Sequence, residues 1–163
     1  MDTQLLIDTL SRVIHVATAI TLVGGSAFML LVLMPAAQNL SDEQHDRLRT
    51  ALTARWKRFV HVGVTLFLIS GIYNYYRAIP SHKGDALYHA LLGTKMLIAL
   101  VIFFIAAALV GRSTGLEAIR RKRTLWLKVL LVAALIVVTI SGFLKVRGPQ
   151  PPAEDRVPAT QTS

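Results

Sequence analysis

Two histidines of this chain sit in the same local sequence. Arg12-Val13-Ile14-His15-Val16 opens an apolar run that reaches Gly24-Gly25, and Arg58-Phe59-Val60-His61-Val62 opens another that reaches Ser70-Gly71. Ionisable side chains inside apolar spans are costly and read as functional by default. A neutral imidazole is also the usual protein ligand of haem iron. A third run carries Lys95 among Gly93, Thr94 and Met96, with His89 at its edge. The candidate cofactor-binding residues are therefore His15, Lys95, His89 and His61, with His15 as the metal ligand.

Depth decides which of these can work together. His15 lies about 7 Å below the outer boundary of its span and Lys95 about 10 Å below the same boundary, at 1.5 Å of rise per residue. His89 is at the outer edge of that third span. His61 falls near the opposite face, so the two repeated histidines do not share one metal. The expected site is a single haem b between spans one and three. His15 would be the axial ligand there, and Gly24, Gly25 and Gly93 would leave room for the macrocycle. Lys95 is a propionate partner, a proton carrier, an iron ligand or a lysine snorkelling along its own stem. His45 and His82 fall in loops and are assigned no role.

The elements that must position these residues are four apolar stretches at about 10–34, 57–78, 88–111 and 124–146, each reaching the ~20 residues that cross a bilayer as a helix. Apolar residues make up 53% of the 163, too many for a soluble domain of this size. The fold class is all-α, an integral membrane four-helix bundle over residues 1–147. The tail 148–163, rich in Pro, Ser and Thr, is expected to be disordered. The first span is too long, and its leader too acidic, for a cleaved signal peptide.

Local signals set the helix ends. Pro35 is expected to end the first helix. Ser41-Asp42-Glu43-Gln44 is a capping box, and the second helix should run unbroken from there through Leu48, Leu52 and Trp56 into the membrane. Thr114-Gly115-Leu116-Glu117 reads as a second capping box, starting a basic lead-in continuous with the fourth span. Helices two and four would then both extend into the cytoplasm. Tyr73, Tyr75 and Tyr76 form an interfacial aromatic belt.

The net charge of +9 follows from topology. One side carries Arg47, Arg49, Arg55, Lys57 and Arg58, together with Arg112, Arg120, Arg121, Lys122, Arg123 and Lys128. The other side carries the smaller set Arg12, Arg77, Lys83, Lys145, Arg147 and Arg156. The positive-inside rule puts the first set in the cytoplasm and both termini outside, in a bacterial inner membrane. No readable motif interleaves aromatics with these charges, so nucleic acid is excluded as a partner. The absence of cysteine excludes disulfides, thiolate ligands and iron–sulfur clusters.

These residues carry a resemblance. His15 with a glycine ten positions on, Gly71 late in span two, and Tyr88-His89-Ala90-Leu91-Leu92-Gly93-Thr94-Lys95 opening span three resemble the copper-resistance D (CopD) membrane family. They also resemble the related HemJ-type protoporphyrinogen oxidases. The resemblance covers roughly residues 10–146. It implies a four-helix haem-binding unit in which the span-one histidine and span-three lysine, here His15 and Lys95, are functional. The HemJ type also has a tryptophan beside the span-one glycine and an arginine ending that span, where this chain reads Thr21-Leu22-Val23 and Leu33-Met34-Pro35.

The function expected is haem-b binding in electron transfer or in porphyrin or quinone redox chemistry, with a quinone or cytochrome as partner. An oxidoreductase activity and a homo-oligomer are left open. The alternatives are copper transport or copper resistance, with Met29, Met34 and Met96 as soft ligands beside His15, and a non-catalytic membrane subunit.

Overall fold

A computed structural model describes residues 2–148. The expected disordered tail falls outside these residues apart from Gly148. Four long helices carry the fold: α1 (Thr3–Phe28), α2 (Asp42–Ala78), α3 (Ala86–Val110) and α4 (Arg123–Arg147). All four are long and apolar enough to cross a membrane, and no strand occurs among the described residues.

The helix ends follow from local chemistry. Asp2 caps α1 by accepting from the Gln4 N–H at 3.2 Å. Ser41 and Gln44 complete the capping box of α2, and Asp42 and Glu43 complement the positive end of its dipole. As expected, α2 is unbroken from Asp42 to Ala78. Asp85 caps α3 by accepting from the Tyr88 N–H at 3.1 Å. Gly148, at φ +66°, closes α4 in a conformation that glycine tolerates best.

Two expectations about helix ends are corrected. The first helix does not stop at Pro35. It widens into a π turn over Met29–Leu33, passes through Met34–Ala36 and tightens into a 3₁₀ turn at Ala37–Asn39. Proline lacks an N–H and crowds the carbonyl four residues back. The wider turn shifts the pairing, with the Met34 N–H donating to Met29 O, so the chain stays helical and Met34 keeps helical angles. At the other correction, Thr114 opens only a 3₁₀ turn, Thr114–Leu116, with no side-chain cap. The helical piece Glu117–Arg121 ends at Lys122, whose φ −101°, ψ 39° lie outside the helical region. The lead-in is therefore not continuous with α4, and only α2 carries a continuous helical extension.

The helices form a ring. Helix α1 packs most extensively on α2 and also on α4, while α3 packs on α4 and α2. Helices α1 and α3 are thus diagonal. Two apolar clusters join α3 to α4: Ile105, Leu109, Leu127 and Leu130 at one end, and Tyr88, Leu92 and Leu144 at the other. Large apolar side chains such as Ile20, Leu97 and Leu135 are more than half exposed, as expected of a surface meant for lipid.

Candidate functional site

Antiparallel pairing of α1 and α2 brings His15 level with a point two to three turns before the end of α2. Its Nδ1 lies 3.0 Å from Ser70 Oγ. Ser70 spends its one hydroxyl proton on its own helix, donating to Leu66 O at 2.7 Å. That is the usual back-bond of a helical serine. Ser70 Oγ can then only accept from the ring, so His15 carries its proton on Nδ1. The Phe67 carbonyl, also in reach of the ring, can only accept as well. Nε2 is left with a free lone pair. This is the usual arrangement of a metal-ligating histidine, whose second nitrogen is fixed by a hydrogen bond.

Packing holds the ring as firmly as the hydrogen bond does. The Phe67 ring centroid is 3.9 Å from that of His15, and Phe67 is itself braced by Phe103 of α3 at 5.4 Å. Gly71 leaves space for the imidazole, since a Cβ there would stand 3.3 Å from His15 Cε1. Lys95 of α3 completes the group. It is half-buried and lies near His15. None of the ion pairs among the described residues involves Lys95.

The other candidates are placed elsewhere. His61 is exposed and bonds Lys57 O of its own helix through Nδ1 at 2.7 Å. His89 is exposed and bonds His82 O through Nε2 at 3.1 Å. Neither joins His15. No three His, Asp or Glu side chains converge among the described residues. The thioethers do not gather around His15 either. Met29 accepts from Arg123 Nη2 at 3.5 Å, Met34 packs against the Ile105 cluster, and Met96 is 41% exposed.

The expected slot between α1 and α3 is also revised. Those helices are diagonal, and the space beside Gly25 is filled by the Trp56 indole. Gly24 and Gly93 have open space. Open surface hollows lie on the outside of α1 and between α1 and α2, and neither is lined by His15 or Lys95.

Polar contacts close the end of the bundle that carries Asp8. Asp8 accepts from Tyr73 Oη at 2.7 Å and from Arg77 Nε and Nη2 at 2.9 and 2.7 Å. These bonds, Arg77 first and then Tyr73, hold its carboxyl at about 2, against an ordinary value of 3.8. Across the bundle Arg147 Nη1 donates to Asp85 Oδ2 at 2.8 Å. Burial pushes the Asp85 carboxyl up, but the Tyr88 N–H and Arg147 outweigh it and hold it below the ordinary value. His82, which the sequence assigned no role, stacks on Tyr88 at 3.6 Å.

Single residues gave no sign of the Asp8 and Asp85 ion pairs, because each joins positions more than sixty residues apart. The one available signal was the presence of acids, Asp8 and Asp85, beside the spans of a basic chain. Compared with protein-family models, curated proteins and solved structures, the chain matches none.

Proposed function

We propose that this chain is a bacterial inner-membrane protein, both termini outside and α2 extending into the cytoplasm, that binds one haem b in its outer half through His15. Bound haem would supply one-electron redox chemistry, exchanged with a quinone or a partner cytochrome. The observation that carries the reading is the 3.0 Å contact of His15 Nδ1 with Ser70 Oγ, whose own proton goes to Leu66 O, an arrangement that favours the ring proton on Nδ1 and a free Nε2. Ser70 orients the ring and keeps the proton off the ligating nitrogen. Phe67 and Gly71 fix its plane. Lys95 supplies a positive charge that a haem carboxylate would balance. The imidazole donor fits the group, and a charged Lys95 near it fits a haem carboxylate. The copper reading has no comparable support, since Met29 and Met34 lie toward the other end of the bundle.

The experiment is the reduced-minus-oxidised absorption spectrum of the detergent-purified protein, with haem scored per chain. His15→Ala is expected to abolish haem. Ser70→Ala is expected to weaken its binding about 10–100-fold, as loss of an orienting partner does at metal-bound histidines. His61→Ala should change nothing. A parent protein that carries no haem after haem-replete growth, or a His15 variant that keeps it, removes the proposal.

A further inference from the structure

The basic end of the bundle contains a charge that the fold leaves without a counter-charge. Arg123 opens α4 and is half-buried, its Nη2 resting on the Met29 thioether at 3.5 Å. A thioether is a weak acceptor and offers no negative charge. The ion pairs formed among the described residues are Arg47–Glu43, Arg77–Asp8 and Arg147–Asp85, and none includes Arg123. Its charged neighbour is another cation, Arg49 of α2. A buried charge without a partner is costly, and two guanidinium groups set against each other add to that cost.

A second orphan lies at the same end. Arg120 donates through Nη2 to Ser113 O at 2.7 Å, while its Nη1 is buried and has no hydrogen-bond partner. Guanidinium groups that converge without carboxylates suit a phosphate, which accepts from several N–H donors at once. Basic pockets between membrane helices on the cytoplasmic side bind lipid head groups in this way.

We propose that Arg49 and Arg123 together bind the phosphate of one anionic lipid headgroup at the inner end of the bundle. The lipid supplies the missing counter-charge, and its acyl chains lie along the apolar outer faces of the helices. The shared chemistry is a phosphate anion, and a lipid is favoured over free phosphate because Arg123 begins a span while Arg49 sits on the extension that precedes one. The inference is independent of haem, since it concerns the opposite end of the molecule from His15.

The test is native mass spectrometry of the full detergent-purified chain, titrated with phosphatidylglycerol, phosphatidylcholine or inorganic phosphate. The parent is expected to retain one phosphatidylglycerol. Arg123→Gln and Arg49→Gln should each weaken retention about fivefold, the factor that ~1 kcal/mol per basic residue near an anionic surface gives. Arg47→Gln, which removes an exposed pair with Glu43, should leave it unchanged. Arg123→Lys keeps the charge, guards against a variant that fails to fold, and should retain more lipid than Arg123→Gln. Equal retention of phosphatidylcholine, or no change in either glutamine variant, overturns the site. Inorganic phosphate that displaces the lipid at equal concentration overturns the lipid assignment.

Discussion

Gly24 and Gly25 are adjacent in α1, yet an alanine at each should act in opposite directions. A Cβ at Gly24 would meet nothing within 4 Å. A Cβ at Gly25 would run into the Trp56 indole, inside contact distance of Cη2 and only 2.7 and 3.0 Å from Cζ3 and Cζ2. Carbon atoms prefer about 3.5–4.0 Å, so the rigid ring must retreat by roughly 1 Å or α1 and α2 must separate. Both variants gain the same helix-propensity term, up to ~1 kcal/mol over glycine. The difference between them therefore isolates the collision, about 1–3 kcal/mol for an overpacked contact.

Gly63→Ala should fall between the two, because the Leu22 side chain that it would meet at 2.9 Å is flexible. Unfolding midpoints in mixed detergent and SDS micelles, followed by circular dichroism, give the order. In a Trp126→Phe background the emission of Trp56 should shift for Gly25→Ala and stay put for Gly24→Ala. Equal midpoints and unchanged emission for the two variants would refute the packing of Trp56 on Gly25.

Two further outcomes are expected. Asp8 keeps its full contribution to stability above its ordinary value of 3.8, and that contribution is lost as pH falls from there through about 2. Asp8→Asn should thus lower the unfolding midpoint at neutral pH and flatten its fall over that acid window, and an unchanged acid profile would count against the Asp8–Arg77 contact. Fusions at Gly148 should give active alkaline phosphatase and dark green fluorescent protein, and the reverse pattern would invert the proposed orientation.

The parts of this fold that were legible in the sequence are those set by neighbours along the chain. The four spans follow from apolar length, and the start of α2 follows from the side chains of Ser41 and Gln44 bonding within three residues. Pro35 misled because its local rule assumes an α-helical register, and a π turn changes that register. The break at Lys122 escaped notice because no Gly or Pro marks it. Depth, helix direction and the resemblance set His15 and Lys95 side by side in the sequence, and in the fold the two lie near each other. Ser70, the residue that orients His15, looked like one of many small residues, because its role depends on which neighbour takes its proton. The filling of Gly25 by Trp56 depends on two helices meeting, and no local pattern announces it.

The Asp8–Arg77 and Asp85–Arg147 ion pairs have a consequence for how the chain is made. Asp8 with Arg77 closes α1 onto α2, and Asp85 with Arg147 closes α3 onto α4. Each pair stays within one helical hairpin. As the first hairpin leaves the ribosome, it already holds the Asp8 counter-charge for Arg77 and need not wait for the second. The bilayer can then receive the protein as two hairpins, each with its own ion pair already formed. The loop at Ile79–His82 then becomes the natural place to divide the gene, since halves made separately would each enter the membrane with one of these ion pairs already formed.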